Sequence, residues 1–205
     1  IGGAEHIMMV RQEDKDLQSM MDIILQSGER LLNTINSLLD LAKIEANKMP
    51  LLPTSTQINS FIREVSKVHL KMAERKGLQM EVHFLNPEFE AKIDRRFLEI
   101  ILNNILGNSI KYTDSGKILL NAGKSANRLI LEIIDTGIGM SQEFQRKMFD
   151  AFEQESTGNA RLYDGSGLGL NITKNLLNLM GGSIQVWSDK QSGTRVKLEI
   201  PLSKT

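Results

Sequence analysis

The 205 residues carry 40% hydrophobic and 24% charged side chains, enough apolar material for a real core and too much for a disordered chain. Acidic and basic residues number 25 each, so the net charge is zero, and no block of like charge marks a nucleic-acid or anionic-membrane partner. The absence of cysteine excludes disulfides, zinc–thiolate sites and cysteine nucleophiles, and no apolar run approaches the roughly 20 residues of a membrane span.

Ile1-Gly2-Gly3 shows neither an initiator methionine nor a signal-peptide pattern, so the sequence reads as a piece of a longer protein. Residues 1–10 read as the last turns of one helix and 11–15 as a polar turn, with Asp14 or Asp16 capping the next. Residues 17–44 form a near-heptad helix, with Leu17, Met20, Met21, Ile24, Leu31, Ile35, Leu38 and Ala42 at spacings of three and four. A stripe this long and narrow needs partner helices, and a dimeric bundle supplies them most simply. Pro50 and Pro53 stop the helix, so residues 1–49 are a helical hairpin, 50–56 a hinge and 57–205 a globular domain.

Past the hinge the elements alternate. A helix over 59–76 ends at Gly77, and a strand over 78–85 turns at Asn86-Pro87 into a second strand over 89–93. A helix over 95–112 carries Leu98, Ile101, Leu102, Ile105 and Ile110. Strands over 117–122 and 128–134 flank a turn, a helix spans 142–152, and a polar loop fills 155–164. A helix over 168–180 stops at Gly181-Gly182, before strands over 183–188 and 195–202. The sum is an α+β chain, helices layered over a mixed, largely antiparallel sheet.

Three motifs stand out. Asn104 and Asn108 lie one helical turn apart and share a face, with Lys111 three residues on. Amide oxygens are hard ligands suited to Mg²⁺, and a lysine beside them neutralises phosphate charge. Asp135 ends a strand, where a carboxylate can accept a hydrogen bond from the exocyclic amine of adenine. Gly137 and Gly139 follow it and are expected to let backbone pass close to the base. Gly165-Ser166-Gly167-Leu168-Gly169-Leu170 opens a helix whose free N–H groups suit phosphate, and Arg161 in the preceding loop is placed to reach one. Neither the dinucleotide GxGxxG order nor a Walker A Lys-Ser/Thr is present.

In this order the motifs resemble sensor histidine kinases of two-component systems over nearly the whole chain. Asn104-Ile105-Leu106-Gly107-Asn108-Ser109-Ile110-Lys111-Tyr112-Thr113 resembles the N box, Asp135 to Met140 the G1 box, Phe149-Asp150-Ala151-Phe152 the F box, and Gly165 to Leu170 the G2 box. Gly182-Ser183-Ile184 and Ser192-Gly193-Thr194 with Pro201 resemble the closing segment. Residues 31–48 resemble the second helix of the dimerisation and histidine-phosphotransfer domain.

The resemblance implies a Bergerat-type two-layer α/β sandwich that binds ATP and Mg²⁺, preceded by a helical hairpin in a dimeric bundle. It implies Asn108 as the Mg²⁺ ligand with Asn104 beside it, Lys111 and Tyr112 near phosphates or ribose, Asp135 as adenine selector and Arg161 as lid arginine. Gly137, Gly139, Gly165, Ser166, Gly167, Leu168 and Gly169 line the nucleotide, while Phe149 and Phe152 are expected in the core. The implied partners are ATP, a response-regulator receiver domain and a second copy of the chain, in the cytoplasm and without membrane contact by this segment.

The H box, His-Glu/Asp-x-x-x-Pro, does not occur. His6 is followed by Ile7-Met8-Met9, and His69 and His83 read as structural. The chain is thus expected to hold the kinase engine without its phosphoacceptor. A pseudokinase or phosphatase-biased module is the alternative. A gyrase- or chaperone-like ATPase is a weaker one, because Ile100 stands four residues before Asn104, where such enzymes place a water-activating group.

Overall fold

The computed structural model describes residues 15–46, 48–155 and 166–202. Helix α1 spans Lys15–Glu45, so Asp16 lies inside it rather than capping it; residues 1–14, the expected first helix and turn, lie outside the described residues. Strand β1 is Thr54–Gln57, followed by helix α2 (Ile58–Arg75), β2 (Gln79–Phe84), β3 (Glu90–Ile93) and helix α3 (Arg95–Tyr112). Then come β4 (Lys117–Ser125), β5 (Arg128–Asp135), α4 (Gln142–Lys147), α5 (Gly169–Leu179), β6 (Ser183–Asp189) and β7 (Gly193–Pro201).

Five strands form one sheet in the order β2-β4-β5-β7-β6, parallel at β2–β4 and antiparallel elsewhere. Period-two alternation puts Ile118, Leu120 and Ala122 of β4, Leu129, Leu131 and Ile133 of β5, and Val196, Leu198 and Ile200 of β7 on one buried face. The buried sides of α2, α3 and α5 complete the same core, with Ile58, Ile62, Phe97, Leu98, Ile101, Leu102, Leu106 and Leu176 inaccessible or nearly so. The opposite sheet face carries Glu132, Arg195 and Trp187. The chain is therefore the expected mixed α/β fold with helices over a mixed sheet.

Three sequence expectations are corrected. Residues 50–56 are not all hinge, because Thr54–Gln57 pairs antiparallel with β3 in a separate two-stranded sheet. The β2–β3 turn therefore joins strands of different sheets, and β2 takes β4 as its partner. The helix at 142 stops at Lys147; Asp150 N–H bonds back to Lys147 O at 2.8 Å, and Phe152 sits at φ +66°, outside helical space.

Two carboxylates fix helix starts. The N-cap of α2, Gln57, makes no side-chain cap bond, and Glu88 supplies it across the turn, accepting from Asn59 N (2.8 Å), Ser60 N (3.0 Å) and Ser60 Oγ (2.6 Å). The Ser60 hydroxyl and these N–H groups hold the Glu88 carboxyl below its usual range, against slight desolvation. Asp94 caps α3, the helix that carries the asparagines, by accepting from Arg96 N and Phe97 N.

The last turns of α1 dock on α5, burying Leu41 and Ile44 in the domain core. The expected stripe behaves differently: Met20, Ile24, Leu31, Ile35 and Leu38 are all exposed.

Candidate nucleotide-binding site

A pocket of about 470 Å³ opens between α3, the segment after β5, α4, the start of α5, and strands β6 and β7. Among the expected site residues, Asn104, Asn108, Lys111, Tyr112, Asp135, Gly139, Ser166, Gly167 and Gly169 all line it. Gly137 and Leu168 stand behind the wall. Leu168 is fully buried and its N–H donates to Ser166 Oγ at 3.3 Å. Gly165 and Arg161 lie outside the described residues, as does most of the expected lid loop.

Asp135 is the pocket floor, 7% exposed at the last position of β5. Its Oδ1 accepts from Gly137 N (3.0 Å) and Thr194 N (3.1 Å), and its Oδ2 from Ser109 Oγ (3.0 Å). Burial pushes the carboxyl above its ordinary pKa, and these three donors hold the rise in check. Each oxygen of a carboxylate has two lone-pair sites, so Oδ2 keeps one for a ligand donor. Ile105, Ile138, Val186 and Val196, with Met140 and Met148, give the surrounding walls an apolar character suited to a flat heterocycle. A buried acceptor in an apolar slot recognises an amine.

The glycines after Asp135 make room for the protein's own backbone. A Cβ on Gly139, at φ +63°, would lie 1.9 Å from Asp189 O, and one on Gly137 would lie 2.4 Å from Tyr112 O. Both positions admit neighbouring backbone, Asp189 of β6 and Tyr112 of α3. Hydrogen bonds then pin the loop: Ile138 N to Tyr112 O (3.0 Å), Gln191 N to Ile138 O (2.8 Å) and Met140 N to Ser188 Oγ (2.9 Å).

At the other end of the pocket, Asn104 Nδ2 donates to Gly169 O (3.2 Å) and Thr173 Oγ1 (3.4 Å), tying α3 to the first turn of α5. The N-cap of α5 is Leu168, whose own side chain makes no cap bond, and this helix start carries the positive, anion-favouring end of the helix dipole. Lys111 Nζ donates to Tyr112 OH at 3.0 Å and lies 4.6 Å from the centre of that ring. Two rim carboxylates are neutralised locally, Glu153 by Lys147 and Glu155 by Lys190, each at 2.9 Å. Burial alone would raise Glu155, but Lys190 and Ser141 hold it below the ordinary carboxylate value. The rim therefore repels a polyanion less than its acid content suggests.

Phe152 is not core: it is 59% exposed beside Gly167, whereas Phe149 is half-buried under Lys174 Nζ, 4.9 Å from its ring. His69 is buried against Val65 O, and His83 Nε2 meets Glu81 at 3.0 Å; neither lines the pocket. Glu99 and Ile100 are also absent from its walls. Sequence reading missed three contributors. Ser109 was legible only as a neighbour of Asn108, Thr194 lies 59 residues from the carboxylate it supports, and Ser37 of α1 reaches the pocket mouth.

Residues 93–204 match the family described as histidine kinase-, DNA gyrase B- and HSP90-like ATPase. The chain belongs to this ATPase family. Among its relatives, the autoinducer 2 sensor kinase/phosphatase LuxQ of Vibrio harveyi is 31% identical over 207 residues, covering 98% of this chain and 24% of LuxQ. The hybrid signal transduction histidine kinase B of Dictyostelium discoideum is 35% identical over 92% of this chain and 10% of its own. Full-length ShkA, solved in complex with AMPPNP, superposes with a TM-score of 0.80 at 28% identity, covering 94% of this chain and 40% of that one. The chain thus spans about a quarter or less of the curated relatives named here and corresponds to the catalytic ATP-binding domain of sensor histidine kinases.

Proposed function

We propose that the pocket binds MgATP and that, within a longer protein, it donates the γ-phosphate to a histidine for relay to a response-regulator aspartate. The carrying observation is Asp135, a buried carboxylate acceptor in a largely apolar pocket that is also lined by Ser166, Gly167 and Gly169 at the start of α5. The AMPPNP complex of ShkA supports the same reading for its own pocket. Adenine sits on Asp135, and the phosphates lie toward Lys111, Ser166, Gly167 and the first turn of α5. Arg161 and Gly165, outside the described residues, are assigned to phosphate binding by the family resemblance alone.

Asn108 lines the pocket. Its hard amide oxygen fits Mg²⁺, which takes one or two protein oxygens and completes its shell with phosphate and water. When bound, the ion offsets phosphate charge; the chain's own work is to hold the nucleotide and keep water ordered or out. Without an H-box histidine, the chain incubated with γ-labelled ATP is expected to bind nucleotide and retain no acid-labile label. Stable label at His6 would contradict this.

The exposed Met20, Ile24, Leu31, Ile35 and Leu38 on α1 support a hairpin and a dimeric bundle built on that face. Sedimentation over a range of concentrations is expected to show a reversible dimer that Leu31→Asp weakens at least tenfold; a strict monomer would contradict it. No helix among the described residues is long and apolar enough to cross a membrane. We place the domain in the cytoplasm on its family likeness.

A further inference from the structure

Helix α3 ends without a glycine cap, because Thr113 leaves it in extended conformation (φ −108°, ψ 113°). The last carbonyls of a helix need outside donors. Here Ile110 O and Lys111 O both accept from Lys76 Nζ, each at 2.9 Å, and Tyr112 O accepts from Ile138 N at 3.0 Å. Lys76 is itself the C-cap residue of α2, its own N–H bonded back to Met72 O and Ala73 O, so its stem starts from a fixed point. Asp114 lies 3.7 Å from the ammonium and keeps it at the helix end. A cation there also offsets the negative end of the helix dipole.

The turn so held is the one that carries Lys111 and Tyr112 into the pocket. Asp135 is held from outside α3 as well, by the N–H groups of Gly137 and Thr194. We propose that Lys76, outside the pocket, is a positioning residue for the phosphate end of the nucleotide, acting through the last turn of α3 on Lys111 and Tyr112. This rests on the nucleotide reading above. Removing the ammonium leaves two carbonyls to fray toward water and lets Lys111 leave its station, while Gly137 and Thr194 still hold Asp135.

The test compares ATP and adenosine binding to the wild-type chain, Lys76→Met and Lys76→Arg by NMR titration, with melting temperatures alongside. A loss of one to two ordinary hydrogen bonds scales to about fivefold weaker ATP binding in Lys76→Met, with adenosine within about twofold of wild type. Lys76→Arg keeps a long cationic donor and restores ATP. Equal loss of ATP and adenosine, no loss of either, or no recovery with arginine would overturn the proposal. Wild-type chain that binds neither ligand would overturn the nucleotide reading with it, a distinct outcome. Should Lys76→Met fail to fold, Lys76→Gln carries the same comparison.

Discussion

Asp135→Asn is expected to weaken ATP binding by roughly 100-fold while leaving the fold intact, measured by calorimetric titration beside a thermal melt. The carboxylate Oδ1 has two backbone donors, which an amide oxygen can still satisfy. The second position becomes an NH₂ group, facing both Ser109 Oγ and the amine of the bound base. Donor then meets donor, and a hydrogen bond to a charged group, about 1.5–3 kcal/mol, is replaced by a desolvated mismatch. The stability sign runs the other way. Burial raises the folded pKa of Asp135, so its contribution to stability is complete below the unfolded pKa and is lost as pH rises through the folded value. At neutral pH the charge is a burden, and asparagine is expected to lower the melting temperature by no more than about 2 °C. By the same logic, wild-type ATP affinity falls as pH drops through a carboxyl titration lying above the ordinary value of about 3.9. An Asp135→Asn protein that binds ATP like wild type removes Asp135 from the adenine seat.

Asp94→Ala has the opposite profile, a large stability loss with little intrinsic effect on ligand chemistry. The Asp94 side chain is 1% exposed and receives Arg96 N (3.1 Å), Leu52 N (2.7 Å) and the Arg96 guanidinium (2.7 Å). Burial would raise its pKa, but the Arg96 side chain and the Leu52 and Phe97 N–H groups overcome this and hold it below the ordinary range. Alanine removes the cap of α3, about 1–2 kcal/mol, and strands Leu52 N–H, so the total is about 3 kcal/mol. For a chain of this size the melting temperature falls by roughly 6–12 °C at pH 7. Because the folded pKa is depressed, this stabilisation is present above the unfolded value and is lost as pH falls through the folded one. The gap between wild type and variant therefore narrows toward strong acid. A melting temperature within 2 °C of wild type at pH 7 would mean that Pro50, Leu52 and Arg96 hold the helix start unaided.

The helix carrying Asn104 and Asn108 was legible to the residue, because its apolar period and the charged Asp94-Arg95-Arg96 start are local signals. Six of the seven strands followed from alternation and turn residues, but their division into a five-stranded and a two-stranded sheet did not. Strand β1 was not legible: four residues between two prolines and a helix carry little pattern, and only the distant β3 makes them a strand. The site divides in the same way. The asparagines, Asp135 and the G2 glycines are contiguous motifs, while the groups that tune them come from far along the chain. Thr194 holds Asp135 across β7, and Lys76 reaches α3 from the end of α2. Gly139 was legible as a required glycine, but the Asp189 carbonyl packed against it was not. Leu41 and Ile44 looked no different from the rest of the α1 pattern, yet they alone among its described apolar residues are buried.

The central claim is that a buried carboxylate in this pocket selects adenine and the opposite end accepts phosphate. Calorimetric titration of the wild-type chain with MgATP and with MgGTP tests it most directly. Saturable ATP binding, with GTP weaker by at least about tenfold because its carbonyl meets the Asp135 carboxylate, is the predicted result. Equal affinity for the two, or saturable binding of neither, would contradict it.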